Sequence, residues 1–107
     1  MSYPIRPKKS LGQNFLVDGN VLHNIAEALD LAPGDTVLEI GPGTGMLTEL
    51  LQPRVARLIA VEIDRNLAAL LRSRFAGVDN FTLVEGDILE MEPMLLAGEQ
   101  PLRVVGN

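Results

Sequence analysis

Cysteine and tryptophan are absent from the 107 residues, histidine occurs once, and aromatic residues make up only 4%. Without cysteine there is no disulfide framework, no thiolate metal site and no thiol nucleophile. A single His23 likewise excludes a histidine cluster for a metal, and it reads as a helix-surface residue. No apolar run approaches the ~20 residues of a membrane-spanning helix, and Met1 to Ser10 lack the apolar centre of a secretory signal, so a cytoplasmic setting is expected. Basic charge is scarce, with 9 Lys and Arg against 14 Asp and Glu. Arg6, Lys8 and Lys9 fall in the opening stretch, where no acid occurs, so a short basic arm precedes an acidic body. The arm is either a solvated tail or a contact to phosphates; the body is not that of a protein that binds nucleic acid over its whole surface.

What the chain has is apolar content, 47% of its residues, enough for one small domain. Strand-like runs alternate with helical patterns. A first helix is expected to start at Asp18 as N-cap, with Val21, Leu22, Ile25, Ala26 and Leu29 on one face and a stop at Pro33-Gly34-Asp35. Thr36 to Ile40 is almost wholly apolar, as in a central parallel strand. Met46, Leu47, Leu50 and Leu51 form the stripe of a second helix that Pro53 ends. Leu58 to Val61 is a second strand, and Asp64 caps a third helix whose Leu67, Leu70, Leu71 and Phe75 share a face. Phe81 to Val84 and Leu102 to Val105 complete four strands, with a weak helical stretch from Asp87 to about Leu96 between the last two. This order predicts an α/β fold, a mainly parallel, doubly wound sheet with helices on both sides. Ligands of such sheets sit beyond the carboxyl ends of the strands.

Glu39-Ile40-Gly41-Pro42-Gly43-Thr44-Gly45 lies at one of those ends. Glycines there allow a sharp turn and let a ligand approach the main chain. The dinucleotide pattern G-x-G-x-x-G would need glycine where Met46 stands, which speaks against a nicotinamide-dependent oxidoreductase. Glu62 ends the next strand, 21 residues past Gly41, where a carboxylate accepts both hydroxyls of a ribose; otherwise it is a solvated strand end. Asp87, after Glu85 and Gly86, suits the exocyclic amine of adenine, or else is a loop acid. Glu39 sits within an apolar strand and must have partners. It is expected to accept backbone N–H groups of the glycine loop, and compatibly to reach a ligand ammonium through water.

The pattern resembles the S-adenosylmethionine-dependent methyltransferases with their Rossmann-like fold. More narrowly, Ser10-Leu11-Gly12-Gln13-Asn14-Phe15-Leu16, EIGPGTG at 39–45, VEID at 61–64, EGD at 85–87 and VVGN at 104–107 are similar to the ribosomal RNA adenine dimethylase family. The resemblance implies N6,N6-dimethylation of adenosines in ribosomal RNA, the small subunit favoured by the Gly-Gln-Asn-Phe-Leu-Val-Asp run, with S-adenosyl-L-methionine as cofactor and no metal. It implies that Asn14 and Leu16 cover the cofactor, Gly41 and Gly43 meet its methionine part, Glu62 its ribose and Asp87 its adenine. Asn107 would open the family's Asn-Leu-Pro-Tyr motif, accepting from the target amine as the catalytic residue and also contacting the cofactor. Residues 1–17 then form a basic arm and cofactor-covering segment, and 18–107 the N-terminal part of a methyltransferase domain. Such a part is expected to bind cofactor but to methylate RNA weakly or not at all, and to pair through its exposed fourth strand as a dimer or swapped oligomer. A non-catalytic cofactor- or RNA-binding module is the alternative.

Overall fold

The computed structural model describes residues 19–92, Gly98 and 102–106. The basic arm with Arg6, Lys8 and Lys9, the expected cap Asp18, and Asn14, Leu16 and Asn107 lie outside the described residues. Helix α1 spans Gly19–Ala28, strand β1 Thr36–Ile40, helix α2 Met46–Leu51, β2 Arg57–Glu62, helix α3 Arg65–Arg74, β3 Phe81–Glu85 and β4 Leu102–Gly106, with single 3-10 turns at Gln52–Arg54 and Ile88–Glu90. The four strands are parallel in the order β3-β2-β1-β4. The chain builds outward from β1 to β3 and then returns to the other side of β1, so the strand order reverses at β1. The glycine loop leaves β1 at that reversal, where α/β sheets open a crevice.

Side chains alternate across the sheet, and each set has its own core. Val37, Leu58 and Val105 pack with Leu22 and Ala26 of α1, Leu47 and Leu51 of α2, and Val55. Five leucines at 38, 47, 51, 58 and 71 are shut off from solvent, each contributing about 2 kcal/mol by burial. Helix α3 lies on the same face as α1 and α2. Phe75, just past its end, stacks on Phe81 with ring centroids 4.8 Å apart, and Phe81 pairs with Leu58. Leu38, Ile59 and Val61 point the other way and pack with Ile88 and Met91.

Among the described residues, therefore, all three helices cover one face, where helices on both sides were expected. The opposite face receives the 3-10 turn Ile88–Glu90 and Met91. This turn occupies the start of the weak helical stretch expected after Asp87, whose later part lies outside the described residues. A second difference concerns α3. Leu70 is 47% exposed, and Ala68 and Leu71 are the buried residues. The buried face of α3 is thus centred on Ala68 and Leu71, and Leu70 is turned out of it. β4 lies at one edge of the sheet with Val104 exposed. No helix among the described residues is long and apolar enough to cross a membrane.

Candidate functional site

The loop after β1 is built by backbone hydrogen bonds that start from the sheet. Gly41 N–H donates to Val61 O at 2.9 Å, and Gly45 N–H closes a turn onto Pro42 O at 3.0 Å. Gly43 and Gly45 have φ of 62° and 91°, a region that side chains disfavour. The two glycines serve different ends. Among the described residues nothing lies within 4 Å of where a Cβ on Gly43 would be, so that position is open on their side. A Cβ on Gly45 would lie 2.9 Å from Leu71 Cδ2 and 3.0 Å from Phe75, so Gly45 lets α3 approach the start of α2.

Glu62 is the hub. It is 4% exposed, and its Oε1 accepts Gly43 N–H at 3.1 Å while Oε2 accepts Asp64 N–H at 2.9 Å. Its carbonyl accepts Gly86 N–H at 2.9 Å, tying the ends of β2 and β3 together. Asp87 stands just beyond and caps the 3-10 turn, with Oδ1 accepting Leu89 N–H at 2.9 Å. Gly41, Gly43, Glu62 and Asp87 thus gather on three adjacent strand ends. Asp64 is the helix cap its position suggested, accepting from Asn66 and Leu67 N–H. His23 lies on the surface of α1, 3.7 Å from Glu27.

Glu39 corrects one expectation. The loop amide goes to Glu62, not to Glu39. Glu39 pairs in register with Ala60, two positions short of Glu62, so its side chain leaves the sheet beneath α2 instead of reaching the loop. There Oε1 accepts the Thr48 hydroxyl at 2.6 Å, and the buried Oε2 has no partner among the described residues. Burial pushes the Glu39 carboxyl up to about 7, against the lowering effect of Thr48 and with a further push from Glu62. Sequence reading missed Thr48, although a hydroxyl interrupting the Leu47-Leu51 stripe was a usable signal. It also missed Arg74, which donates to Thr44 O and to Glu49 Oε1; no local pattern marks that residue. Among the described residues no group of His, Asp and Glu side chains could hold a metal ion.

A parallel sheet whose strand ends carry this loop and these acids is the Rossmann-like fold of S-adenosylmethionine-dependent methyltransferases. The chain belongs to the ribosomal RNA adenine dimethylase family, whose model matches residues 5–107. It is 54% identical over 93 residues to the ribosomal RNA small subunit methyltransferase A of Moorella thermoacetica, covering 86% of this chain and 32% of that protein. The corresponding protein of Geobacter metallireducens is 52% identical over 88 residues, with 82% and 32% covered. The chain therefore spans about a third of the length of the curated relatives it matches. Among solved structures, the 23S rRNA methyltransferase ErmE superposes with a TM-score of 0.74 at 38% identity, over 83% of this chain and 35% of that one. A dimethyladenosine transferase from Plasmodium falciparum gives 0.68 at 29% identity, over 82% and 31%.

Proposed function

We propose that these residues form the cofactor-binding part of an enzyme that transfers methyl groups from S-adenosyl-L-methionine to N6 of adenosines in small-subunit ribosomal RNA, two per base. The observation that carries this reading is the convergence of the open Gly43, Glu62 and Asp87 on neighbouring strand ends, within a chain of the adenine dimethylase family. Small-subunit RNA is favoured because the relatives of that name reach 54% identity, against 38% for the 23S enzyme.

The residues present fit the cofactor. Each oxygen of Glu62 holds one backbone donor and retains a lone pair, so a ribose can donate both hydroxyls without breaking the loop. Asp87 uses Oδ1 for its turn, leaving Oδ2 for the adenine amine. The backbone at Gly41 and Gly43, which carries no Cβ, suits the methionine part, and Glu39 Oε2 below, without a partner among the described residues, suits a water-mediated contact to its ammonium. When bound, the cofactor supplies a methyl group on a sulfonium that is itself the leaving group. The protein's share is to align donor and amine and to exclude water. Asn14 and Leu16 as a cover, and Asn107 as acceptor for the target amine, complete the proposed site.

Titration calorimetry of the 107-residue chain with S-adenosylmethionine, with a nicotinamide dinucleotide as control, tests the cofactor assignment. Binding of the first alone is expected, and its absence defeats the reading. For the RNA assignment, labelled methyl should appear as N6,N6-dimethyladenosine in small-subunit RNA treated with the complete protein.

A further inference from the structure

We propose that Arg74, at the end of α3, is a positioning residue that holds the glycine loop in its ligand-ready shape by gripping the Thr44 carbonyl from behind. The inference rests on the reading of that loop as the cofactor cradle. The guanidinium donates through Nη1 to Thr44 O and through Nη2 to Glu49 Oε1 at 2.7 Å. The Thr44–Gly45 peptide is thereby held at both ends, its carbonyl by Arg74 and its N–H by Pro42 O at 3.0 Å. With the N–H of Gly43, two residues before Gly45, fixed by Glu62, the turn is braced from two sides: by an acid from β2 and by a base from α3.

Arg74 is itself placed. Its Cζ lies 5.5 Å from the Phe75 ring, which stacks on Phe81 of β3, so the fork is referred back to the sheet. Gly45 leaves it room, since a Cβ there would stand 3.1 Å from Nη1. A loop with three left-handed glycines, Gly41, Gly43 and Gly45, has many alternative shapes when free. A ligand that needs one of them binds more weakly by the fraction of time that shape is absent.

The test compares Arg74→Met, which keeps the apolar stem and removes both donors, with Arg74→Lys, which keeps one donor, and Arg54→Met, which breaks the exposed Arg54–Glu27 ion pair far from the loop. S-adenosylmethionine affinity is measured by calorimetry and stability by urea unfolding. Arg74→Met is expected to weaken binding about five- to tenfold, Arg74→Lys to recover most of it, and Arg54→Met to leave it unchanged. Amide hydrogen exchange at Gly43 and Gly45 should quicken in Arg74→Met alone, a change that general destabilisation does not confine to the loop. Wild-type affinity in Arg74→Met, or equal losses in Arg74→Met and Arg54→Met, overturns the proposal while the cofactor reading stands. If the wild type itself binds no S-adenosylmethionine, the cofactor reading falls and this inference falls with it.

Discussion

Glu62 Oε1 accepts the N–H of Gly43 at 3.1 Å, which makes the acid at the end of β2 and the loop after β1 one hydrogen-bonded unit. With Glu62 as the proposed ribose acceptor, loop shape and ligand recognition share a side chain. Glu62→Ala strips acceptors from two backbone donors, so urea unfolding should show a loss of about 2–3 kcal/mol. Calorimetry should show S-adenosylmethionine affinity falling by more than about tenfold. An unchanged unfolding midpoint would mean that water replaces the carboxylate without cost.

Glu39 makes stability depend on pH in a sense opposite to that of an ordinary ion-paired acid. Its carboxyl is raised from the usual 4.5 to about 7 in the folded state, so the fold holds a proton that the unfolded chain releases between those values. Stability is therefore greatest below about pH 4.5 as far as this group is concerned, and falls as pH rises towards 7, by about 3 kcal/mol in all. Glu39→Gln, which still accepts from Thr48, should remove this slope and be more stable than wild type at pH 8. Parallel pH profiles for the two proteins would refute the assignment.

Among the described residues Thr48 is the one hydrogen-bond donor to that buried acid. Thr48→Val keeps the shape but leaves both oxygens unpaired, and should cost about 1–3 kcal/mol. Thr48→Ser should recover much of this, because the hydroxyl and not the methyl carries the effect.

Two of the loop's three left-handed glycines, Gly43 and Gly45, should separate folding from binding. Gly45→Ala drives a methyl into Leu71 and Phe75 and should destabilise by about 2–4 kcal/mol. Gly43→Ala meets nothing among the described residues and should cost only about 1–2 kcal/mol for its φ, yet lose most S-adenosylmethionine binding because the methyl stands where the proposed ligand must approach. Equal affinities for Gly43→Ala and wild type would place the ligand elsewhere.

Neighbouring leucines on α3 offer a check on the packing. Leu71→Ala should cost about 3 kcal/mol, as for a fully buried leucine, whereas Leu70→Ala, at 47% exposure, should change unfolding by less than about 1 kcal/mol.

Much of the architecture was legible because its signals are local. Thr36 to Ile40 is apolar throughout, and the strand has those bounds; β2, β3 and β4 each extend past the expected runs by a residue at one or both ends. The cap at Asp64 was read from chain position alone, since it bonds amides two and three residues ahead, whereas the cap Asp87 gives to its 3-10 turn was not read, although its bond to Leu89 N–H is just as local. Leu70 was misplaced because helical periodicity names an apolar face without saying which part of it the sheet will meet.

By itself, then, the sequence determined the order of elements, the turn that follows β1, and the three strand ends on which the candidate ligands stand. Apolar periodicity, glycine and capping residues act over a few positions, so their message is complete within the chain segment. Only the tertiary structure decided which acid holds the loop. Register sets Glu39 beside Ala60 and Glu62 beyond it, which sends one carboxyl under α2 to Thr48 and the other to Gly43. The partnership of Arg74 with Thr44, thirty positions apart in the chain, arises in the same way, from the packing of α3 across the start of α2. Such pairings depend on distances through space, and those exist only once the sheet has assembled.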